Sequence, residues 1–323
     1  MVKQLKIALA FFRLIRTPNL LIIAITQYFI RWFILKPLLS VSGFRVQLDT
    51  LQFSMLVVST VMIAAAGYII NDYFDRKTDL INRPGKVIVG RLIKRRYVMA
   101  FHIIFTSLGI LAGSYVAYSI GRLSLSMIFI FAGIVLWFYS TTYKRQVLVG
   151  NLIISVLVGL VPMLVLVFEF PLLVQRYQLH ILAKGVRFDY LIFWVGSYSI
   201  FAFTVNLIRE INKDIEDFEG DAVFGCRTIP IAWGLKAAKW IVTVLIVLMI
   251  APVIYLLVFH LADKISFVYI VLFIIVPLIM LAFGVNWAST KKQYHILSQS
   301  SKLIMLAGLV YCLLVNYIVS AYK

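Results

Sequence analysis

Two short segments contain most of the acidic residues of the sequence. The chain has 323 residues, 13 of them Asp or Glu, and nine of these acids lie between residues 72 and 79 or between residues 210 and 221. Both segments contain the spacing Asp-x-x-Asp-x-x-x-Asp, with a constant offset of 142 residues between them. Because steps of three and four residues place side chains on one side of a helix, each segment predicts a row of carboxylates. The first acidic motif is Asp72, Asp75 and Asp79, and the second is Asp214, Asp217 and Asp221.

Such rows of carboxylates are suited to binding a hard divalent cation. Like charges at this spacing repel one another on an isolated helix, so a nearby positive charge is expected to offset them. Mg²⁺ prefers carboxylate and Asn oxygens, keeps several waters and binds substrate phosphates. Basic residues near both motifs are expected to bind a diphosphate, namely Arg83, Lys86, Lys144, Arg209 and Lys213. The sequence therefore predicts a Mg²⁺-dependent site for a lipid diphosphate.

The composition identifies the surroundings in which this site must form. The chain is 63% hydrophobic with a mean hydropathy of +0.98, whereas soluble domains are about 45–50% apolar. So many apolar side chains cannot be buried in a soluble core of this size, so a lipid bilayer must be their solvent. A soluble enzyme and a disordered chain are both excluded, and too little polar surface remains for nucleic-acid binding.

Nine apolar runs are long enough to cross a bilayer, which takes about 20 residues of helix. They lie at 19–36, 51–71, 97–120, 124–143, 149–168, 190–209, 237–260, 266–288 and 301–321. Residues 1–16 contain four cations that interrupt any apolar run, and they predict an amphipathic helix on the membrane surface. We therefore expect an all-α membrane protein with a single domain over residues 1–323.

The basic residues predict the orientation in the membrane. The net charge is +18, and with a cytoplasmic N-terminus 22 of the 31 Lys and Arg residues lie in inside segments and 9 in outside segments. Cytoplasmic loops of membrane proteins are enriched in these residues. We expect an integral protein of the inner (cell) membrane with its N-terminus inside and its C-terminus outside. Both acidic motifs follow an even-numbered helix, so both are predicted on the cytoplasmic face.

Other interpretations of the acidic motifs explain less of the sequence. Charged helix ends with surface salt bridges would account for one motif, but not for two with the same spacing on the same face. A secondary transporter would account for the internal offset, since many transporters contain repeats. Ionisable residues of transporters usually lie near the membrane midplane, however, and these lie at one face. A CDP-alcohol phosphotransferase is expected to have one compact acidic run.

At these residues the chain resembles the UbiA family of intramembrane prenyltransferases. The pattern Asn-Asp-x-x-Asp-x-x-x-Asp runs from Asn71 to Asp79, and the segment from Asn82 to Lys86 matches the family's Asn-(Arg/Lys)-Pro sequence. The second motif matches at Asp217-x-x-x-Asp221, and Arg16-Thr17-Pro18-Asn19 is similar to the family's opening Arg-Pro-x-Asn. The nine predicted helices agree with this family.

The resemblance implies nine helices in a single bundle around a central cavity, with the two motifs facing each other at its cytoplasmic mouth. It implies that Mg²⁺ binds at Asn71, Asp75, Asp79, Asp214, Asp217 and Asp221, with Asp75 and Asp217 as the catalytic pair. Lys144 follows Tyr139 one residue later than the family's Tyr-x-x-x-Lys would place it. Asn19, Tyr68 and Tyr139 are expected at the substrate cavity.

The reaction implied by the resemblance is transfer of a prenyl group from a prenyl diphosphate to a lipophilic acceptor. The segment from Arg209 to Asp221 is most similar to the branch that makes digeranylgeranylglyceryl phosphate from geranylgeranyl diphosphate and geranylgeranylglyceryl phosphate. An aromatic or quinone precursor as the acceptor stays open as an alternative.

Three charged residues outside the motifs are expected to have no part in the chemistry. Glu169 lies at the outer end of the fifth predicted helix, where a solvated interfacial position is expected. Arg31 and Lys36 lie near the end of the first, and their long side chains are expected to reach the outer interface.

The central prediction concerns one acid from each motif. Asp75→Asn or Asp217→Asn is expected to abolish Mg²⁺-dependent prenyl transfer, because each removes a carboxylate ligand, while the protein stays folded in detergent. Turnover assays with the purified variants measure this. Near-normal turnover by either variant would contradict the paired-metal hypothesis.

Overall fold

The computed structural model describes residues 2–82, 85, 87–180, 187–261 and 263–321. Most of these residues are helical, and the β-structure among them is limited to one isolated bridge between Val89 and Ile93. The predicted all-α class is confirmed.

Nine helices of the described chain are long and apolar enough to cross a membrane, which confirms the predicted number. A surface helix α1 (Val2–Leu14) precedes them, and two short helices, α8 (Phe218–Val223) and α9 (Ile229–Ala232), lie between the sixth and seventh. The spans are α2 (Thr17–Val41), α3 (Thr50–Asn82), α4 (Arg95–Ser119), α5 (Leu123–Thr141), α6 (Val149–Arg176), α7 (Asp189–Glu216), α10 (Leu235–Phe259), α11 (Lys264–Trp287) and α12 (Lys291–Ala321).

Four of these helices continue well beyond the apolar runs that predicted them. Helix α3 extends to Asn82 and α7 to Glu216, so the first motif and Asp214 are helical; α6 extends to Arg176, and α12 begins at Lys291. Hydropathy detects only the part of a helix that is immersed in hydrocarbon. Backbone hydrogen bonding continues into the interface, where polar side chains are solvated.

Two spans contain a widened π-helical turn just before a proline. These turns are Ile30–Leu35, followed by Pro37, and Val271–Ile275, followed by Pro277. Proline has no N–H and its ring clashes with the carbonyl four residues earlier, so a local change of helix winding accommodates it.

Contacts between Cα atoms divide the chain into two compact units. Unit 1 comprises Met1–Lys144 and Val161–Phe193, and unit 2 comprises Arg145–Leu160 and Trp194–Lys323. The expectation of a single domain over residues 1–323 stays a prediction.

In unit 1, helix α3 packs closely against α4 and α5. Between α4 and α3, a Cβ at Gly109 would lie 2.7 Å from the Ile63 side chain. Between α4 and α5, a Cβ at Gly113 would lie 2.2 Å from the Phe129 ring. Small residues at such contacts let membrane helices approach closely. Helix α1 joins this core through Ala10 and Leu14, so the predicted N-terminal amphipathic segment is a helix with one face packed on the protein.

In unit 2, polar groups connect the beginning of α6 to α7. Asn151 Nδ2 donates to Asp214 Oδ2 at 2.8 Å, and Asn206 Nδ2 donates to Ser155 Oγ at 3.2 Å. One turn further on, a Cβ at Gly159 would lie 3.0 Å from the Ser199 carbonyl oxygen. Hydrogen bonds of this kind hold helices together where apolar packing gives no preference over lipid.

The expectations for Glu169 and Arg31 were wrong. Glu169 is fully buried and accepts hydrogen bonds from the backbone N–H groups of Gln47 and Leu48. Arg31 is 4% exposed, donates to the Leu48 carbonyl oxygen and lies over the Phe53 ring at 4.3 Å. The segment between α2 and α3 brings these unsatisfied backbone groups to both charges. Buried charges persist where such hydrogen bonds compensate the lost water.

Glu169→Ala is expected to lower the free energy of unfolding by about 3 kcal/mol, because it leaves the backbone N–H groups of Gln47 and Leu48 without their acceptor and removes a buried carboxylate. Denaturant unfolding in detergent measures the loss. Asp189→Ala is the control, since it removes an acid whose side chain is 62% exposed. Equal losses in the two variants would contradict a role for the buried network.

Candidate functional site

The first acidic motif lies on the last turns of helix α3 in unit 1. Asn71 Nδ2 donates a hydrogen bond to Asp75 Oδ2 at 2.7 Å, as the i, i+4 spacing allows. This amide leaves its carbonyl oxygen beside the carboxylate of Asp75. Two oxygen donors of the predicted metal site therefore lie together on one helical face.

Arg16 compensates the first carboxylate of this motif. Its Nη2 lies 2.9 Å from Asp72 Oδ1, and its guanidinium lies 4.9 Å from the centre of the Tyr68 ring. Burial by itself lowers the pKa of Arg16, but Asp72, Tyr68 and Asp75 together outweigh it, and the net pKa lies above the ordinary value. The backbone of Arg16 is left-handed, with φ 52°, at the junction of α1 and α2. That junction places the guanidinium against α3.

Lys144 compensates the second carboxylate. Its ammonium pairs with Asp75 Oδ2, and the side chains of Lys144 and Asp75 are 39% and 14% exposed. Burial by itself lowers the pKa of Lys144, but Asp75, with smaller contributions from Tyr139 and Asp79, raises the net pKa above its ordinary value. Lys144 therefore stays charged throughout the physiological range. The structure brings together this lysine and predicted site residues of unit 1.

Two further arginines lie around the same helix end. The Arg95 guanidinium is 4.4 Å from the centre of the Tyr73 ring. The Arg76 guanidinium lies against Gly90, where an added Cβ would be 3.1 Å from it. Gly90 has φ +79°, a conformation that glycine adopts without strain. The acidic end of α3 is therefore surrounded by cations from several segments of unit 1.

The other predicted site residues of unit 1 lie in different surroundings. Asn19 is in the first turn of α2, where its N–H donates to the Arg16 carbonyl oxygen at 2.8 Å. Tyr68 lies under the Arg16 guanidinium, and Tyr139 lies near Lys144. Arg83 and Lys86 lie outside the described residues. The predicted cavity role of the first three stays a prediction.

The second acidic motif, in unit 2, does not form the uninterrupted helical row that its spacing predicted. Helix α7 ends at Glu216, Asp217 adopts φ −95° and ψ 9°, and Asp221 lies in α8. The Asp217 N–H still donates to the Lys213 carbonyl oxygen, and the Asp221 N–H to the Asp217 carbonyl oxygen. The motif therefore follows a helical path with a bend at Asp217.

Neighbouring side chains orient the end of α7. Asn151, which is 9% exposed, donates to Asp214. Arg209 and Lys213, predicted to bind a diphosphate, both pair with Glu210, the lysine at 2.8 Å. These pairs place two cations and Glu210 along the same helix as Asp214.

The donor chemistry fits Mg²⁺ bound together with a phosphate group. Within the described residues, no three Asp, Glu, His or Cys side chains come together as a self-sufficient metal site. A protein cage is not what Mg²⁺ usually requires, because it binds through one or two carboxylates, waters and substrate phosphates. Asn71 and Asp75 in unit 1, and the acids of the second motif in unit 2, are oxygen donors of this kind.

The sequence analysis did not predict two residues that contact the acidic motifs directly. Arg16 was noted only as part of a similarity, and Asn151 was not noted at all. The sequence signals available were a polar residue within an apolar run for Asn151 and an arginine before Pro18 for Arg16. Neither sequence signal identifies the carboxylate that the side chain contacts.

Comparison with known proteins gives concordant results. The sequence model of the UbiA prenyltransferase family matches residues 40–314. A digeranylgeranylglyceryl phosphate synthase of Methanothermobacter thermautotrophicus is 32% identical over 209 residues, which cover 64% of this chain and 66% of that protein. The chain thus spans less than two thirds of the length of this curated relative.

Solved structures show the same fold. A structure described as a digeranylgeranylglyceryl phosphate synthase in membranes has a TM-score of 0.62 at 22% identity, covering 96% of this chain and 99% of that one. A UbiA homolog from Archaeoglobus fulgidus bound to GPP and Mg²⁺ has a TM-score of 0.57 at 17% identity, covering 94% and 99%.

The contact between Arg16 and Asp72 is expected to contribute about 1 kcal/mol to stability, because the pair is partly exposed and screened by solvent. A double-mutant cycle with Arg16→Gln and Asp72→Asn, followed by denaturant unfolding in detergent, measures this coupling. A cycle with Arg13→Gln and Asp72→Asn, in which Arg13 is an exposed cation of helix α1, is expected to give none. Equal coupling in both cycles would contradict a specific pair.

Proposed function

Because the chain belongs to the UbiA prenyltransferase family, we propose that it transfers a prenyl group from a prenyl diphosphate to a lipophilic acceptor in the membrane. The observation that carries the proposal is the first acidic motif, in which Asn71 and Asp75 lie together with Lys144 against them. Oxygen donors beside a fixed cation suit a metal-bound diphosphate.

The two acidic motifs supply the metal ligands of the proposed enzyme. They are Asn71, Asp75, Asp79, Asp214, Asp217 and Asp221, with Asp75 and Asp217 as the catalytic pair. Mg²⁺ at these residues would act as a Lewis acid and template for the diphosphate. The repetition of the first motif's spacing 142 residues later supports a metal-binding role for each motif.

The basic residues of the chain bind and stabilise the leaving group. As the allylic C–O bond breaks, its electron pair stays with the diphosphate, and negative charge grows on the diphosphate oxygens. Lys144 offers an ammonium donor there, and Arg209 and Lys213 offer two more at the second motif. Preorganised donors at the position of developing charge are a large source of rate acceleration.

Aromatic side chains near the acidic end of α3 protect and stabilise the positively charged allylic group. Tyr68 presents its ring face to Arg16, which shows that this face accepts a cation. Tyr139 lies near Lys144. Apolar surroundings would keep water from the allylic carbon until the acceptor oxygen attacks.

For the acceptor, we propose geranylgeranylglyceryl phosphate, with geranylgeranyl diphosphate as the donor. The 32% identity to a digeranylgeranylglyceryl phosphate synthase supports this choice. The excess of basic residues in the predicted inside segments supports a cytoplasmic N-terminus and a cytoplasmic position for both acidic motifs.

The test is incubation of the purified chain with Mg²⁺, geranylgeranyl diphosphate and a panel of acceptors, followed by product mass and diphosphate release. Geranylgeranylglyceryl phosphate is expected to gain one geranylgeranyl group, and chelation of Mg²⁺ is expected to stop the reaction. An aromatic acid or a quinone precursor completes the panel.

Prenylation of the aromatic acceptor alone would replace the proposed acceptor and keep the proposed chemistry. Movement of prenyl diphosphate across vesicle membranes without diphosphate release would contradict prenyl transfer and indicate a transporter. The Asp75→Asn variant is the matched control for background release.

A further inference from the structure

Lys144 occupies the coordination space of a proposed metal ligand. Its ammonium pairs with Asp75 Oδ2, which is also the oxygen that accepts a hydrogen bond from Asn71. An ammonium and a divalent cation are attracted to this carboxylate by the same charge, and both need its lone pairs. Lys144 and a metal ion therefore compete for Asp75.

The neighbouring pair of Arg16 and Asp72 differs from this one in a useful way. The Arg16 guanidinium contacts both the Asp72 carboxylate and the Tyr68 ring. Because the guanidinium is a rigid plane, a rotation away from Asp72 breaks both contacts. Lys144 lies in the short turn Tyr143–Arg145, and its ammonium is a point charge on a flexible stem. Of these two cations, Lys144 is the one that can change its partner.

We propose that Lys144 is a built-in counter-cation for Asp75 that makes metal binding depend on the diphosphate. This inference rests on the proposed function. Without a diphosphate, a metal ion must break the Lys144–Asp75 pair, and the ammonium loses the carboxylate that it contacts. With a diphosphate present, the ammonium transfers to a phosphate oxygen, and Asp75 becomes available to the metal.

The consequence is positive coupling between metal and diphosphate. Lys144 weakens the binding of a metal ion alone and strengthens the binding of a metal ion together with a diphosphate. This coupling favours the loaded, substrate-bound state over a metal-bound state without substrate. By linkage, the metal strengthens diphosphate binding by the same factor.

Isothermal titration calorimetry of the full chain in detergent, with Mg²⁺ alone and with Mg²⁺ in the presence of inorganic pyrophosphate, tests the inference. Lys144→Gln is expected to tighten binding of Mg²⁺ alone about tenfold, since one charge-assisted hydrogen bond no longer has to be broken. The same variant is expected to weaken Mg²⁺ binding in the presence of pyrophosphate by a similar factor.

Arg145→Gln is the matched control, because it removes the same charge from the adjacent, exposed position. It is expected to change Mg²⁺ binding less than about twofold, since exposed charges are well screened. Lys144→Arg keeps the charge and is expected to bind Mg²⁺ alone like the parent chain, which provides a second comparison if Lys144→Gln does not fold.

The outcomes separate the two proposals. If the parent chain binds no Mg²⁺ with pyrophosphate, the proposed function is wrong and the inference falls with it. If the parent chain shows coupled binding but Lys144→Gln binds Mg²⁺ alone no more tightly, only the inference is overturned. An equal gain in Arg145→Gln, or a tenfold gain in Lys144→Arg, would also overturn it.

Discussion

Repulsion between carboxylates at the end of a membrane helix is the constraint on which this structure depends. A chain with a net charge of +18 concentrates nine of its 13 acids in two segments, where each acid raises the cost of the next. In unit 1 the cost is offset by Arg16 on Asp72 and Lys144 on Asp75, which come from distant parts of the sequence. The fold of unit 1 therefore brings these two carboxylates and two cations together, and a metal-bound diphosphate carries charges that can pair with them.

Helix length positions these charges at the membrane surface. Helix α3 is 33 residues long, more than the roughly 20 residues that a bilayer needs, and its excess carries the first motif beyond the apolar run. Close packing at Gly109 fixes α3 against α4 in unit 1. In unit 2 the hydrogen bond from Asn151 and the pairs around Glu210 order the end of α7. Each motif thus extends from a helix that is fixed in its own unit.

Much of the fold and part of the site could be predicted from the sequence, because apolar runs and a repeated acidic spacing are local patterns. The ends of the helices were harder to predict, because hydropathy does not detect helical turns in the membrane interface. Helices α3 and α7 are examples. The positions of Glu169 and Arg31 were predicted wrongly because their partners are backbone groups of a segment between helices. The contacts of Arg16 and Asn151 were not predicted for a related reason. Each joins residues that are distant in the sequence, and the neighbouring sequence does not indicate such a contact.

The central proposal is that each acidic motif is needed to bind a metal ion together with a diphosphate. Binding of Mn²⁺ in the presence of inorganic pyrophosphate, followed by electron paramagnetic resonance of the purified chain, tests it most directly. The account predicts that Asp75→Asn and Asp217→Asn each weaken the binding of Mn²⁺ with pyrophosphate. Full binding by either single variant would contradict it.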